Sequence, residues 1–200
     1  LIKFGTIDYY RIGSKYLEKK GLSKFIPKIT KRFASLVVYL TDRKTNKEFF
    51  LVNIHLEANP KYDDIKNFQG YMVMKYIEKI TEGGKIPVIL TGDFNSTPTS
   101  STYHGITTGT SLNKFDMDDL KYPLPFLSTP KSYTYLKMTS CYNKVFGQEP
   151  KHSNYTVKFK NTLDYIFVNS KINILGAMRE IDNSYLQNSI PDNNFPSDHF

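Results

Sequence analysis

The stretch IPVILTGDFNSTPTSSTY, residues 86–103, passes from a short apolar run into a polar segment. Residues 86–91 predict a buried β-strand, because the run is short and continuously apolar. Directly after it, Asp93 and Asn95 alternate with Phe94, and a period of two residues places both polar side chains on one face. A carboxylate beside an amide suits a hard cation with oxygen ligands. An Asx-turn that ends a strand is the alternative interpretation.

Further elements are predicted on both sides of this stretch. Thr97 before Pro98 predicts the cap of a short helix, and the apolar spacing over residues 65–80 predicts an amphipathic helix. Residues 105–160 predict long loops with short helices. Strands are predicted at residues 34–40, 48–56, 162–168 and 172–176, the first two as an antiparallel pair. Strands interleaved with helices indicate a mixed α/β sheet structure.

The composition suits one domain with a packed core, since the 200 residues are 40% hydrophobic. Cys141 is the sole cysteine, which excludes an intramolecular disulfide and a cysteine-based zinc site. No apolar run reaches the roughly 20 residues of a membrane span, and no signal peptide is visible. We expect no membrane contact, and a cytoplasmic location with the nucleus as an additional one. The first residue is Leu1, and we expect the chain to be part of a longer protein.

The net charge of +8 is concentrated at the start of the chain. Residues 1–32 hold nine basic residues against two acidic ones, a net charge of +7, whereas the remaining 168 residues carry +1. A basic lobe of this kind attracts polyanions such as nucleic acid. A solvated loop whose charge only keeps it soluble is the alternative.

Four polar clusters lie near the ends of predicted strands, a common way to place a site on a rigid sheet. They contain His55, Asp93 with Asn95, Asp164, and Asp198 with His199. Asp164 interrupts an apolar strand, and a buried carboxylate needs a partner, for which a histidine is the natural candidate. Adjacent Asp198 and His199 point apart and should serve different partners. Taken alone, His55 is more often a structural residue, and an ordinary polar turn is the alternative for Asp198 with His199.

Together these side chains indicate metal-assisted phosphoryl chemistry on oxygen ligands. The chain has no Walker A motif, no dinucleotide-binding glycine pattern, no nucleophile elbow and no zincin motif. Kinase, dehydrogenase and serine hydrolase functions therefore lose their usual support.

The motifs resemble those of the endonuclease/exonuclease/phosphatase superfamily, and within it the CCR4-type poly(A) deadenylases. The resemblance lies in four stretches in the family's order: VNIHLEANPKYDDIK (52–66), residues 86–103, EPKHSNYTVKFKNTLDYIFVNS (149–170) and FPSDHF (195–200). It covers residues 33–200 and leaves 1–32 as an unassigned basic segment. It implies a single partial domain with a four-layer α-β-β-α sandwich fold, whose N-terminal part is missing from this chain.

The resemblance implies roles at the chemical centre. His55 would contact the scissile phosphate, and Asp93 would help bind Mg²⁺, or alternatively Mn²⁺, and hold the attacking water. Asn95 would position that water or the substrate. Asp164 would orient His199, which would act as a base or as an electrostatic partner of the phosphate.

Three further residues receive implied roles at the edge of this centre. Asp198 would lie close to a metal. Pro60 and Phe159 would flank the terminal adenine, and a base stacked on an aromatic ring is worth about 1–3 kcal/mol.

The chain departs from the family pattern in one respect. The family's first half carries an asparagine and a metal-binding glutamate, and none of the carboxylates before His55 has a matching context. We expect the chain to begin after that half, and a pseudoenzyme is the less favoured explanation. Without the glutamate, metal affinity should fall sharply, and the chain by itself is expected to be inactive.

The leading hypothesis is a metal-dependent 3′→5′ exoribonuclease that shortens poly(A) tails, releases 5′-AMP and works in a larger mRNA-decay complex. The nearest alternatives are a 2′-phosphodiesterase, a nocturnin-like nucleotide phosphatase and an abasic-site endonuclease. A non-catalytic RNA-binding module that uses residues 1–32 is the alternative from another class.

Overall fold

A computed structural model describes residues 3–29, 33–110, 136–181, 185 and 189–200. Within this part of the chain, six strands form one mixed sheet in the order β1-β2-β3-β4-β8-β5, and two more form a small ribbon. The sheet strands are β1 (Lys3–Asp8), β2 (Ala34–Thr41), β3 (Glu48–His55), β4 (Val88–Asp93), β5 (Thr139–Ser140) and β8 (Asp164–Val168). The ribbon strands are β6 (Asn154–Tyr155) and β7 (Lys160–Asn161).

The helices are α1 (Tyr9–Lys19), α2 (Asp63–Ile80), α3 (Ser101–Thr108), α4 (Cys141–Phe146) and a 3₁₀ helix (Ser23–Ile29). Helix α2 joins the parallel strands β3 and β4, as a parallel pair requires a long crossover connection. It begins with two carboxylates, which favour the positive end of the helix dipole, and glycines with positive φ follow its end. No helix in the described ranges is long and apolar enough to cross a membrane.

One face of the sheet is buried under the helices. Val37, Val52, Leu90 and Phe167 are paired in register across β2, β3, β4 and β8, and each is at most 5% exposed. They share one core cluster with residues of α2 and α3. Strand alternation explains this face, because every second side chain of these β-branched and aromatic runs points to it.

No element among the described residues covers the opposite face, which we call the open face. The next row in register contains Leu36, Asn53, Thr91 and Ile166, of which Leu36 is 46% and Ile166 53% exposed. His55, Asp93 and Asp164 lie on this face, two residues further along β3 and β4 and two residues back along β8. The open face therefore carries the polar clusters that the sequence singles out.

The mixed α/β class is confirmed, and the described residues supply one large sheet of the predicted sandwich. The strands predicted at residues 34–40, 48–56, 86–91 and 162–168 and the helix at 65–80 are present with shifted ends. Of the loops and short helices predicted over 105–160, residues 111–135 lie outside the described residues.

Two predicted details are wrong. Residues 172–176 form no strand, because none of the strands that the structure describes pairs with them and Leu175 is 93% exposed. The short helix begins after Ser100 rather than at Thr97: the Ser100 hydroxyl accepts a hydrogen bond from the Tyr103 N–H, which is the N-cap interaction.

The described residues of the basic segment 1–32 do not form a solvated loop. Strand β1 pairs with β2, and α1 packs on α2 at Gly13, which faces the ring of Phe68. A Cβ on Gly13 would lie 2.8 Å from a methyl carbon of Ile29 and 2.9 Å from that ring, so a larger residue would separate the helices. Residues 3–29 are therefore packed against the sheet and α2.

Candidate active site

The centre of the site is a row of three side chains on adjacent strands. His55 ends β3, Asp93 ends β4 and Asp164 begins β8, and backbone pairing places them directly beside one another. The Nε2 atom of His55 lies 3.6 Å from Asp93 Oδ2. The side chain of His55 is 63% exposed, so the structural interpretation of a satisfied core histidine does not hold. We call these three residues the site row.

Gly92 makes the turn into Asp93 possible. Its φ is +130°, and a Cβ at this position would lie 2.0 Å from the backbone oxygen of Ile54. Only glycine adopts this conformation and allows this approach without strain. The glycine of the GDFN motif therefore sets the direction in which β4 presents Asp93.

The GDFN segment forms an Asx-turn, the alternative interpretation of its sequence, and this turn places the Asp93 carboxylate in the site row. The Asn95 N–H donates to Asp93 Oδ1 at 2.7 Å, which is an Asx-turn, and Asn95 has a left-handed φ of +47°. The Asn95 side-chain amide also donates to Asp93 Oδ2 at 3.3 Å and to the Leu56 carbonyl at 3.1 Å. Phe94 points the other way and is 1% exposed, packed edge-on against Tyr165. The turn thus locks the Asp93 carboxylate in place.

The C-terminal loop brings His199 to the row. Its Nδ1 donates to Asp164 Oδ2 at 2.7 Å, and its Nε2 lies 4.0 Å from Asp93 Oδ2. A backbone bridge between His199 and Asn154 and a bond from the Phe200 N–H to the Ser153 carbonyl hold the loop on the ribbon. Asp164 is therefore the partner of a histidine, as the sequence predicts.

Ser153 supports this pair, and the sequence analysis assigned it no role. Its hydroxyl donates to Asp164 Oδ2 at 2.6 Å and accepts the N–H groups of Leu163 and Asp164, both at 2.9 Å. It is 8% exposed. A buried serine just before a short strand gives no recognisable signal, because its three contacts come from a strand about ten residues later in the chain.

The pKa values of the site follow from burial and from crowded charge. Burial raises the pKa of Asp93, and the nearby charge of Asp164 adds to this, while the Asn95 N–H and the two histidines oppose it. For His199, burial acts to lower the pKa, but the hydrogen bond and charge of Asp164, with Asp93 and Asp198, outweigh it and raise the pKa. The site therefore favours a positive group between its carboxylates.

The donor set fits a hard cation. Oxygen atoms of Asp93 and Asp164 and a ring nitrogen of His199 lie within 4.8 Å of one another. Among the residues described, no other three acidic, histidine or cysteine side chains come together in this way. Two partly buried carboxylates at this separation repel one another unless a cation or a protonated group lies between them. The chain thus has a candidate metal-binding cluster.

Asp198 lies outside this cluster. Its side chain is exposed and accepts a bond of 3.4 Å from the Asn154 amide. Asp198 and His199 therefore serve different partners, as expected for adjacent residues that point apart, and the role of Asp198 as a metal neighbour stays a prediction.

The residues expected to flank a base lie on two exposed loops. Pro60 follows β3 and is exposed. Phe159 is 41% exposed in the tight turn of the ribbon, where its N–H donates to the Thr156 hydroxyl at 3.0 Å. An aromatic ring held outside the core by such a turn is available for stacking.

Comparison with known proteins places these motifs in context. The family model described as the Endonuclease/Exonuclease/phosphatase family matches residues 38–199. A probable CCR4-Not complex 3′-5′-exoribonuclease subunit Ccr4 of Vairimorpha ceranae is 30% identical over 201 residues, which are 97% of this chain and 40% of that protein. The Ccr4 subunit of Aspergillus niger is 31% identical over 193 residues, 82% of this chain and 29% of its own length. The chain thus spans less than half of these relatives.

Solved structures share the fold. The human nocturnin catalytic domain with bound sulfate has a TM-score of 0.60 at 24% identity, covering 84% of this chain and 50% of that one. The structure of ANGEL2, a 2′,3′-cyclic phosphatase, in complex with adenosine-2′,3′-vanadate has a TM-score of 0.70 at 20% identity, covering 100% of this chain and 65% of that one. With the match of the family model over most of its length, the chain belongs to the endonuclease/exonuclease/phosphatase family.

Proposed function

We propose that the protein containing this chain is a metal-dependent phosphodiesterase that removes nucleotides from the 3′ end of poly(A) RNA and releases 5′-AMP. The proposal rests on one observation: the site row lies beside His199, whose ring is hydrogen-bonded to Asp164. The names of the Ccr4 relatives support the choice of a 3′-5′ exoribonuclease within the family.

The two histidines would bind the scissile phosphate. The Nε2 atoms of His55 and His199 both face Asp93 Oδ2, from 3.6 and 4.0 Å. Because the pKa of His199 is raised, a larger share of this imidazole is protonated near neutral pH, and Nε2–H can donate to a phosphoryl oxygen. His55 would donate from the exposed side of the site.

Asp93 would receive the proton of the attacking water. The hydrogen bond from the Asn95 N–H holds its carboxylate in place for that step. The water oxygen would bond to phosphorus while the bond from phosphorus to the 3′ oxygen breaks, and that oxygen takes a proton from solvent. When bound, a divalent cation would stabilise negative charge on the phosphoryl oxygens.

Mg²⁺ is the proposed cation and Mn²⁺ the alternative, with Asp93 as the ligand from this chain and Asp198 as its proposed neighbour. Pro60 and Phe159 would select adenine by stacking. Assembly into a larger mRNA-decay complex is proposed from the relatives, which are named as subunits of the CCR4-Not complex. A cytoplasmic location would follow from that role.

The test uses the full-length protein with 5′-labelled oligo(A) and a mixed-sequence RNA of equal length, each with Mg²⁺ and with EDTA. We expect a metal-dependent ladder that forms faster on oligo(A). Asp93→Asn should reduce the rate by about 10³-fold or more, because it removes a proton acceptor and a metal ligand. Asp63→Asn, a change of the same type at an exposed position of α2, should leave the rate unchanged.

Three results would decide against the proposal. Normal turnover by Asp93→Asn would refute the assigned site. Equal rates on both RNAs would refute poly(A) specificity. If neither RNA is cleaved, a panel of cyclic phosphate, dinucleotide and abasic DNA substrates would reveal whether one of the alternative phosphoesterase activities applies.

A further inference from the structure

Helix α1 carries a line of cations on its solvent side. Tyr9, Gly13 and Leu17 are buried, and the exposed positions of the helix include Arg11, Lys15 and Lys19. We call these three cations the basic stripe. They are four residues apart, so successive cations are about 6 Å apart along the axis and turn gradually around it.

The basic stripe has no acidic partner among the residues that the structure describes. No carboxylate there lies within salt-bridge distance of these three side chains, and Glu18 is the only acidic residue within α1. Lys20 and Lys24, both exposed, extend the positive charge beyond the helix. Unpaired cations at this density attract a polyanion rather than a single carboxylate.

The stripe begins at the end of the sheet where the site row lies. Asp8, the last residue of β1, pairs with Ala34 at the start of β2. Two residues further along β2, Leu36 pairs with Asn53 of β3, which is two residues before His55. The Tyr9 N–H donates to the Phe33 carbonyl, and the Phe33 ring lies 6.2 Å from the His55 ring. The first turn of α1 is therefore joined to the site through one residue.

We propose that the basic stripe binds the phosphodiester backbone of single-stranded RNA on the 5′ side of the nucleotide in the site. This inference rests on the proposed function, since it needs a substrate longer than the site. Helix α1 begins at the end of the sheet where His55 lies, so Arg11 is the stripe residue closest to that end, followed by Lys15 and Lys19. Such contacts carry no base preference and act through counterion release.

The experiment is RNA binding by the full-length protein with Asp93→Asn as background, in EDTA, so that no cleavage occurs. One variant replaces Arg11, Lys15 and Lys19 with glutamine. The matched control replaces Arg43, Lys44 and Lys47, three exposed cations in the turn between β2 and β3, at the opposite end of the strands from His55. Both variants lose the same charge.

Binding of a 20-nucleotide oligo(A) and of a trinucleotide is measured by fluorescence anisotropy at several salt concentrations. For the stripe variant we expect the slope of log K against log salt to fall in magnitude by about 2, since single strands contribute about 0.7 per phosphate contact. Affinity for the 20-mer should fall roughly 10- to 50-fold at 0.15 M salt. Trinucleotide binding and the control variant should not change.

An unchanged slope in the stripe variant would overturn the proposal, as would an equal loss in the control, which would indicate net charge alone. Stripe-dependent binding of polyglutamate without stripe-dependent RNA binding would also overturn it and assign the surface to an acidic protein. Because binding is measured without catalysis, a failure of the stripe is separate from a failure of the proposed activity. Far-UV circular dichroism confirms that both variants are folded.

Discussion

Ile166 and Phe167 are neighbours on β8, yet they lie in opposite environments. Phe167 is fully buried beneath the helices, whereas Ile166 is 53% exposed on the open face, beside the site row. The covered face is apolar and stabilises the sheet, and the open face presents polar groups at one end of the same strands. The comparison shows that the side chains of the site row are positioned by the packing of the covered face of the same strands.

The largest expected effect comes from the covered face. Phe167→Ala should lower the free energy of unfolding by about 3–5 kcal/mol, because it leaves a cavity among Leu90, Phe94 and Tyr103. In this chain by itself, Ile166→Ala, the comparison on the open face, should cost about 0.5 kcal/mol or less. Urea unfolding followed by tyrosine fluorescence measures both, since the chain has no tryptophan. Equal losses would show that the two faces are packed alike.

A smaller effect is expected where the two faces meet, at Gly92. Gly92→Ala places a Cβ against the Ile54 carbonyl in a backbone conformation that alanine avoids, so about 2–4 kcal/mol of stability should be lost. The turn that presents Asp93 should be displaced, and cleavage should fall as well. Gly5→Ala, on the edge strand β1 with open space around it, is the control. A Gly92 variant with normal stability and activity would contradict the role assigned to this turn.

The smallest of the three effects on stability is expected at Ser153, with a clearer effect on catalysis. Ser153→Ala removes the acceptor of the buried Leu163 N–H and of the partly buried Asp164 N–H, which costs about 1–3 kcal/mol. It also frees the Asp164 carboxylate that orients His199, so kcat should fall about tenfold or more while KM for RNA stays constant. Ser153→Thr keeps the hydroxyl and should restore kcat. A loss of stability without a change in kcat would make Ser153 a purely structural residue.

Much of the site was predictable because its signals are local. Alternation around Phe94 placed Asp93 and Asn95 on one face. Asp164 within the apolar run of β8 predicted a histidine partner, which is His199. The strands and α2 also follow from local periodicity. These predictions hold since alternation and helical spacing are properties of the backbone that neighbouring residues express without reference to the rest of the chain.

The sequence alone was less informative where the partner is distant or where a side chain is missing. Residues 172–176 have the composition of a strand, but a strand needs a neighbour to accept its hydrogen bonds. Helix α1 was not predicted, because its buried side includes Gly13, a residue that weakens the apolar pattern of a helix. A glycine is favourable at this position only because the ring of Phe68 from α2 fills the space beside it.

The sequence by itself determined which carboxylates and histidines are available, on which strands they lie and to which family the chain belongs. The tertiary structure alone decided their arrangement. His199 meets Asp164 across 35 residues, Ser153 holds that carboxylate across 11 residues, and the register of β3, β4 and β8 aligns the site row. The physical reason is that strand register and loop docking depend on the packing of the whole covered face, which no local pattern encodes.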